Sequence, residues 1–252
     1  MIKPNTMKRI LILTGILVSL VTIRVVFAQS NEGVITYETK VNLHRRLPPG
    51  QEDRKSLIPE FRTTKEQLAF NENESLYKPI IEDEDETVSG GGVRMTIKLP
   101  NNEVYVNRAT NALISKNEFF GKDYLVLDTL KVSPWKLGSE TKEILGYPCK
   151  QAYYTDESNP ERKQEFTAWY TDALKGPLGP DRFGTLPGVV LAVDLNNGER
   201  TVVARKIELR PLKKNELKAP TSGQKMTPSE YRAMVDEQMK KMGAQGGMVI
   251  RR

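Results

Sequence analysis

The sequence predicts a mainly β protein of antiparallel strands, finished by a C-terminal amphipathic helix. Three observations carry this. Apolar and polar residues alternate from Val34 to Leu43, VVLAVDLNNGERTVVARKIEL doubles back at a central Asn197-Gly198, and TPSE at 227–230 has the order of a helix cap.

The chain opens as a secretory signal. Lys3, Lys8 and Arg9 precede the apolar run Ile10 to Ile23, and Val26-Phe27-Ala28 puts small residues at the −3 and −1 sites of a cut after Ala28. The run is shorter than the roughly 20 apolar residues of a spanning helix. Arg24 makes the cut region less typical, so an uncleaved anchor is the alternative; Met7, heading MKRILILTG, is a second candidate start. No Cys stands directly after the cut, which argues against lipidation there. The organisation expected is a signal peptide over 1–28, a β-rich domain over 29–220, and a helix with a glycine-containing tail over 221–252. The location expected is periplasmic or secreted, with no transmembrane segment after cleavage.

In the first strand Ile35, Tyr37, Val41 and Leu43 share one face and Glu38, Lys40, Asn42 and His44 the other. TIKLPNNEVYVN reads as a hairpin around Pro-Asn-Asn, and VVLAVDLNNGERTVVARKIEL as a second. Between them NALISKNEFF, KDYLVLDTL, CKQAYYT and QEFTAWYTD supply strands, punctuated by Gly121-Lys122, Gly138, Tyr147-Pro148 and DESNPERK. Ten to twelve short strands are expected in all. Glu82 to Glu86 is an EDEDE run followed by glycines, the composition of a solvated loop. Pro228 suits a first helical position, with Tyr231, Met234, Val235, Met239 and Met242 at helical spacing before a stop at Gly243.

Charge and chemistry narrow the function. Losing the signal removes Lys3, Lys8, Arg9 and Arg24 and no acid, so the net charge of +6 becomes +2. That, with 7% aromatics, gives no basis for nucleic-acid binding. The lone Cys149 cannot make an internal disulfide, so the fold must rest on its core. His44 is the only histidine, placed on the polar strand face, and Cys149 fits a buried small hydrophobe, so no catalytic residues are assigned. Neither a G-x-S-x-G elbow nor a P-loop nor a dinucleotide fingerprint is present. Glu82 to Glu86 has the oxygens that hard cations favour, but five contiguous acids lack the spacing of a calcium loop. The methionine stripe is assigned to packing, and Trp135 and Trp169 to the core. No cofactor and no metal site is expected.

GPDRFGTLPGVVLAVD, residues 179–194, remains. Pro187 and Gly188 have the types for the two central positions of a type II turn, with positive φ at Gly188, launching Val189 to Val193 as a strand. ILGYPCKQAYY, EFTAWYTDAL and GPLGPDRFGTLPGVVLAVD, in this order after a signal, resemble the GLPGLI family of exported proteins of Gram-negative bacteria, closely over about 140–195. Thr185 replaces the motif's first glycine, and Val189-Val190 its Leu-Ile. The motif turn is Gly184, Leu186, Pro187 and Gly188. The resemblance implies an envelope protein, linked in the family to TonB-dependent outer-membrane transport, and no established activity. By analogy of shape, the architecture expected is a curved antiparallel sheet or half-barrel.

The function expected is therefore non-enzymatic. A periplasmic or envelope protein would bind an apolar ligand in a largely apolar concavity, or an outer-membrane transport partner, with Tyr37, Tyr153, Trp169 and Met234 as the surfaces to watch. The alternatives are a metal-dependent enzyme or factor using Glu82 to Glu86, or Asp172 and Asp181, and a structural module of an envelope assembly with MGAQGGMVIRR as a pairing tail.

Overall fold

The structure is a computed structural model, and it describes residues 31–47, 50–81, 87–90, 93–96, 101–157 and 163–244. The signal peptide expected over 1–28, Glu82 to Glu86 and the end of the C-terminal tail lie outside the described residues. Fourteen strands and one α-helix are described. In chain order they are β1 (Gly33–Asn42), β2 (Phe61–Phe70), β3 (Glu74–Pro79), β4 (Thr87–Gly90), β5 (Val93–Thr96), β6 (Glu103–Asn107), β7 (Ala112–Phe119) and β8 (Lys122–Thr129). Then come β9 (Lys136–Ile144), β10 (Tyr147–Asp156), β11 (Gln164–Thr171), β12 (Val189–Leu195), β13 (Arg200–Leu209), β14 (Gln224–Met226) and α1 (Pro228–Ala244).

Twelve strands form one open sheet in the order β14-β8-β7-β6-β3-β2-β1-β13-β12-β11-β10-β9, and β4 pairs with β5 apart from it. Every pairing is antiparallel except β14 with β8. β1 lies mid-sheet between β2 and β13, which is why its inward residues Ile35 and Tyr37 are fully buried while Lys40 is exposed. The core gathers on that side: Leu68 and Phe70 of β2, Ala152 of β10, Ala168 and Tyr170 of β11, and the near-continuous apolar run of β12.

The sheet curves. In a flat sheet β7 and β12 would stand roughly 29 Å apart, six steps of 4.8 Å, yet Arg182 in the loop before β12 reaches the Ser115 hydroxyl of β7 at 3.4 Å. Register shifts at Thr36/Tyr37, Lys150/Ala152 and Trp169/Tyr170 add the local bend that bulges give.

The cap before α1 forms as its residue types require. The Thr227 amide donates to Glu230 Oε2 at 2.8 Å and the Glu230 amide to Thr227 Oγ1 at 3.3 Å. Tyr231 then packs its ring 5.8 Å from Tyr124 of β8, and β14, inside the expected C-terminal segment, joins the sheet. The hairpin at Asn197-Gly198 also forms, as a four-residue loop in which Asn196, Asn197 and Gly198 all have positive φ.

Other expectations are corrected. TIKLPNNEVYVN is not a hairpin: β5 pairs with β4, and β6 lies between β3 and β7. Tyr147-Pro148 belongs to β10, and the chain turns instead at Leu145-Gly146, with φ of 53° and 80°. Gly138 does not punctuate either; it sits within β9, where a Cβ would meet the Gln151 side chain. His44 lies past the strand in a 3₁₀ turn (His44–Arg46), with Nε2 3.0 Å from the Ile58 carbonyl.

Candidate functional site

The segment joining β11 to β12 folds back across the concave face of the sheet. Leu178 and Leu186 anchor it, each 2% exposed, and the Val190 amide donates to the Leu178 carbonyl at 2.7 Å. Trp135 Nε1 donates to Thr185 Oγ1 at 3.2 Å, so the residue in place of the motif glycine ties the loop to the segment before β9. Phe183 completes a ring cluster with Trp135 and Phe166.

The expected type II turn is absent. Gly188 does not take positive φ; its amide donates to the Leu186 carbonyl at 2.8 Å, closing a three-residue turn on Pro187. Glycine is required there because a Cβ would lie 2.3 Å from the Thr171 carbonyl oxygen. Gly184 is likewise held close, its Cβ position 3.1 Å from the Gly179 amide nitrogen. The motif turn packs backbone on backbone.

Beneath this loop lies a cavity of about 480 Å³. β1 lines it with Thr39 and Val41, β2 with Arg62, Thr64 and Glu66, β3 with Tyr77 and Pro79, and β7 with Ser115 and Asn117. Asp181 and Arg182 of the loop, Arg200 of β13 and Arg46 close it. The expectation of a largely apolar concavity does not describe this lining, which carries four arginines and two carboxylates. Glu66 accepts from the Thr39 and Thr64 hydroxyls at 2.9 and 2.5 Å. Arg46 pairs with Glu199 at 3.4 Å and Arg200 with Asp181 at 3.8 Å. Burial pushes the Tyr77 phenol well above its ordinary 10; Thr39 lies close enough to ease that slightly, but Tyr77 Oη makes no well-aligned hydrogen bond.

The watched residues do not share this site. Tyr37 is fully buried and donates to the Val190 carbonyl at 2.7 Å, which makes it an anchor of the sheet to the motif strand. Tyr153 is 45% exposed on β10, and Trp169 of β11 lies on the same face, with the Lys142 ammonium 4.1 Å from its ring centroid. Met234 is half-buried on α1. Asp172 pairs with Lys150 at 2.6 Å, away from the partner of Asp181, and no three His, Cys, Asp or Glu side chains gather for a metal among the described residues. Cys149 is buried, and burial pushes its thiol up. Arg62 gave no signal in the sequence because it belongs to a period-two polar series, Arg62, Thr64 and Glu66, on an inward strand face, where apolar residues are the ordinary mark.

Residues 64–232, more than half of the chain, match the family described as N-glycanase peptide, N-terminal domain. The chain belongs to that family. The matched part runs from within β2 into α1, so it takes in the strands from β3 to β14 and leaves out the mid-sheet strand β1. Two structures of PNGF-II, in space groups P21 and C2, share the fold of this family member at TM-score 0.53 and 19% identity, over 83% and 82% of the chain. The chain spans about a third of their length, 34% and 33%. No curated protein matches it.

Proposed function

We propose that this chain is a non-enzymatic envelope protein whose concave cavity holds a polar ligand. The cavity beneath the motif loop carries the reading: strands from both sides of β1 build it, and hydrogen-bonding side chains line most of it. The signal segment and the resemblance to GLPGLI proteins support export. The family is named for an N-glycanase, which makes a glycan the ligand class to try first.

The test is to fill the cavity. Asn117→Trp places a large ring among the lining residues, and native mass spectrometry compares what stays bound to the exported parent and to the variant. The parent is expected to retain a ligand that the variant loses. Equal complements on the two proteins, or an empty parent, would end the reading.

A second reading, contact with an outer-membrane transport partner, is favoured by β9. It is an edge strand exposed along most of its length, with Leu137 65% exposed and Tyr153 exposed on the next strand. Cross-linking from Leu137 in intact cells separates it from a free binding protein.

A further inference from the structure

We infer that the ligand of the concavity carries a carboxylate or phosphate group, which the arginines of the cavity receive. The inference rests on the cavity being the binding site, and it adds the chemistry that selects the ligand.

The argument is one of unmet hydrogen bonds. The two carboxylates in the lining are engaged: Glu66 takes the hydroxyls of Thr39 and Thr64, and Asp181 faces Arg200. Arg46 is paired outside the lining, with Glu199. Arg62 is different, for among the described residues it makes no ion pair and its Nε is buried without a hydrogen-bond partner. Arg182, an exposed residue, has among the described residues the neutral Ser115 hydroxyl as its partner, at 3.4 Å. Tyr77, 7% exposed, presents its hydroxyl without a well-aligned partner.

Two guanidinium groups and a phenol thus line one cavity with donors to spare. The Arg62 Nε and the Tyr77 hydroxyl are buried, and a buried donor left unmade is costly, more so when it is charged; Arg182 is exposed and adds its charge at the rim. An oxyanion answers all three, because a guanidinium fork matches the two oxygens of a carboxylate or phosphate and these charge-assisted bonds are the strong ones. A neutral ligand would leave the cationic excess uncompensated. The arginines also sit on separate elements, Arg62 on β2 and Arg182 on the motif loop, so a single anion bridges the sheet to the loop above it.

The experiment uses matched probes on the mature chain by calorimetry: glucose, glucuronate and glucose 6-phosphate. Both acids, or one of them, are expected to bind more tightly than glucose, and the stronger acid tells whether the site prefers a carboxylate or a phosphate. Arg62→Gln is expected to weaken that acid about tenfold or more, to affect glucose less than the acid, and to leave the melting temperature near the parent value. Tyr77→Phe, which keeps the ring, is expected to weaken the acid less. Equal binding of glucose and the acids, unchanged acid binding in Arg62→Gln, or no acid binding at all would overturn the inference. Failure of the cavity reading shows separately: Asn117→Trp would leave the native complement in place.

Discussion

Tyr37 Oη donates to the carbonyl of Val190 at 2.7 Å, a bond between β1 and β12 that runs from the middle of the sheet to the first residues after the motif turn. The bond is buried, and the ring also packs edge-on against Tyr77 at 6.1 Å. Tyr37→Phe keeps the ring and deletes the donor, so it is expected to destabilise the fold by about 1–2 kcal/mol in chemical denaturation. A variant as stable as the parent would show the bond to be idle.

The same phenols predict an alkaline limit. Burial raises Tyr37 and Tyr77 above the ordinary value of 10. A raised folded pKa contributes stability that is fully present below the unfolded value and lost as pH climbs beyond it. Stability is therefore expected to fall above about pH 10, and Tyr37→Phe to lessen the slope. Denaturant midpoints taken from pH 8 to 11 check both.

Gly188 and Gly198 separate two reasons for a glycine. At Gly188 an added Cβ would sit 2.3 Å from the Thr171 carbonyl oxygen, whereas at Gly198 the nearest atom is Arg45 Nη1 at 3.9 Å and the cost is a φ of 92°. Gly188→Ala is expected to lose about 2–3 kcal/mol through the clash, and Gly198→Ala about 1 kcal/mol through strain. Equal losses in the two variants would mean that the approach to Thr171 is slack.

At low pH the pair of Arg210 and Glu216 governs a small part of stability. Arg210 binds both carboxylate oxygens, at 2.6 and 2.9 Å, and with the Lys213 amide holds the Glu216 pKa down to about 2. A depressed folded pKa contributes above the unfolded value of 4.5 and is lost as pH falls toward 2. Glu216→Gln is expected to be less stable than the parent at pH 7 and to converge with it near pH 2. A carboxyl resonance of Glu216 that titrates near 4.5 would contradict this.

Cys149 is expected to resist thiol reagents in the native protein and to react fully after unfolding, since burial both shields it and raises its pKa.

Much of the sheet was legible where its causes are local. Alternation marked β1, three residues with positive φ folded the β12–β13 hairpin, and Thr227 and Glu230 capped α1 as their order required. The failures have non-local causes. Gly188 looked like a turn residue because Pro-Gly commonly is one, but the reason for it is Thr171, seventeen residues back and brought near by β11 pairing with β12. β9 left no apolar pattern because most of its residues face solvent. The cavity depended on Arg62 and Arg182 coming to line one space across the curve of the sheet, which neither residue's neighbours in sequence announce.

The two flanks of the sheet are unequal. β14 ends one of them with three residues, while β9 ends the other with nine. Among the described residues, self-association through the edges of this sheet therefore has one long strand to use, and an antiparallel contact through it brings that strand against its own copy. Such a contact is isologous and closes at two subunits, so this asymmetry protects the protein from growing into fibres.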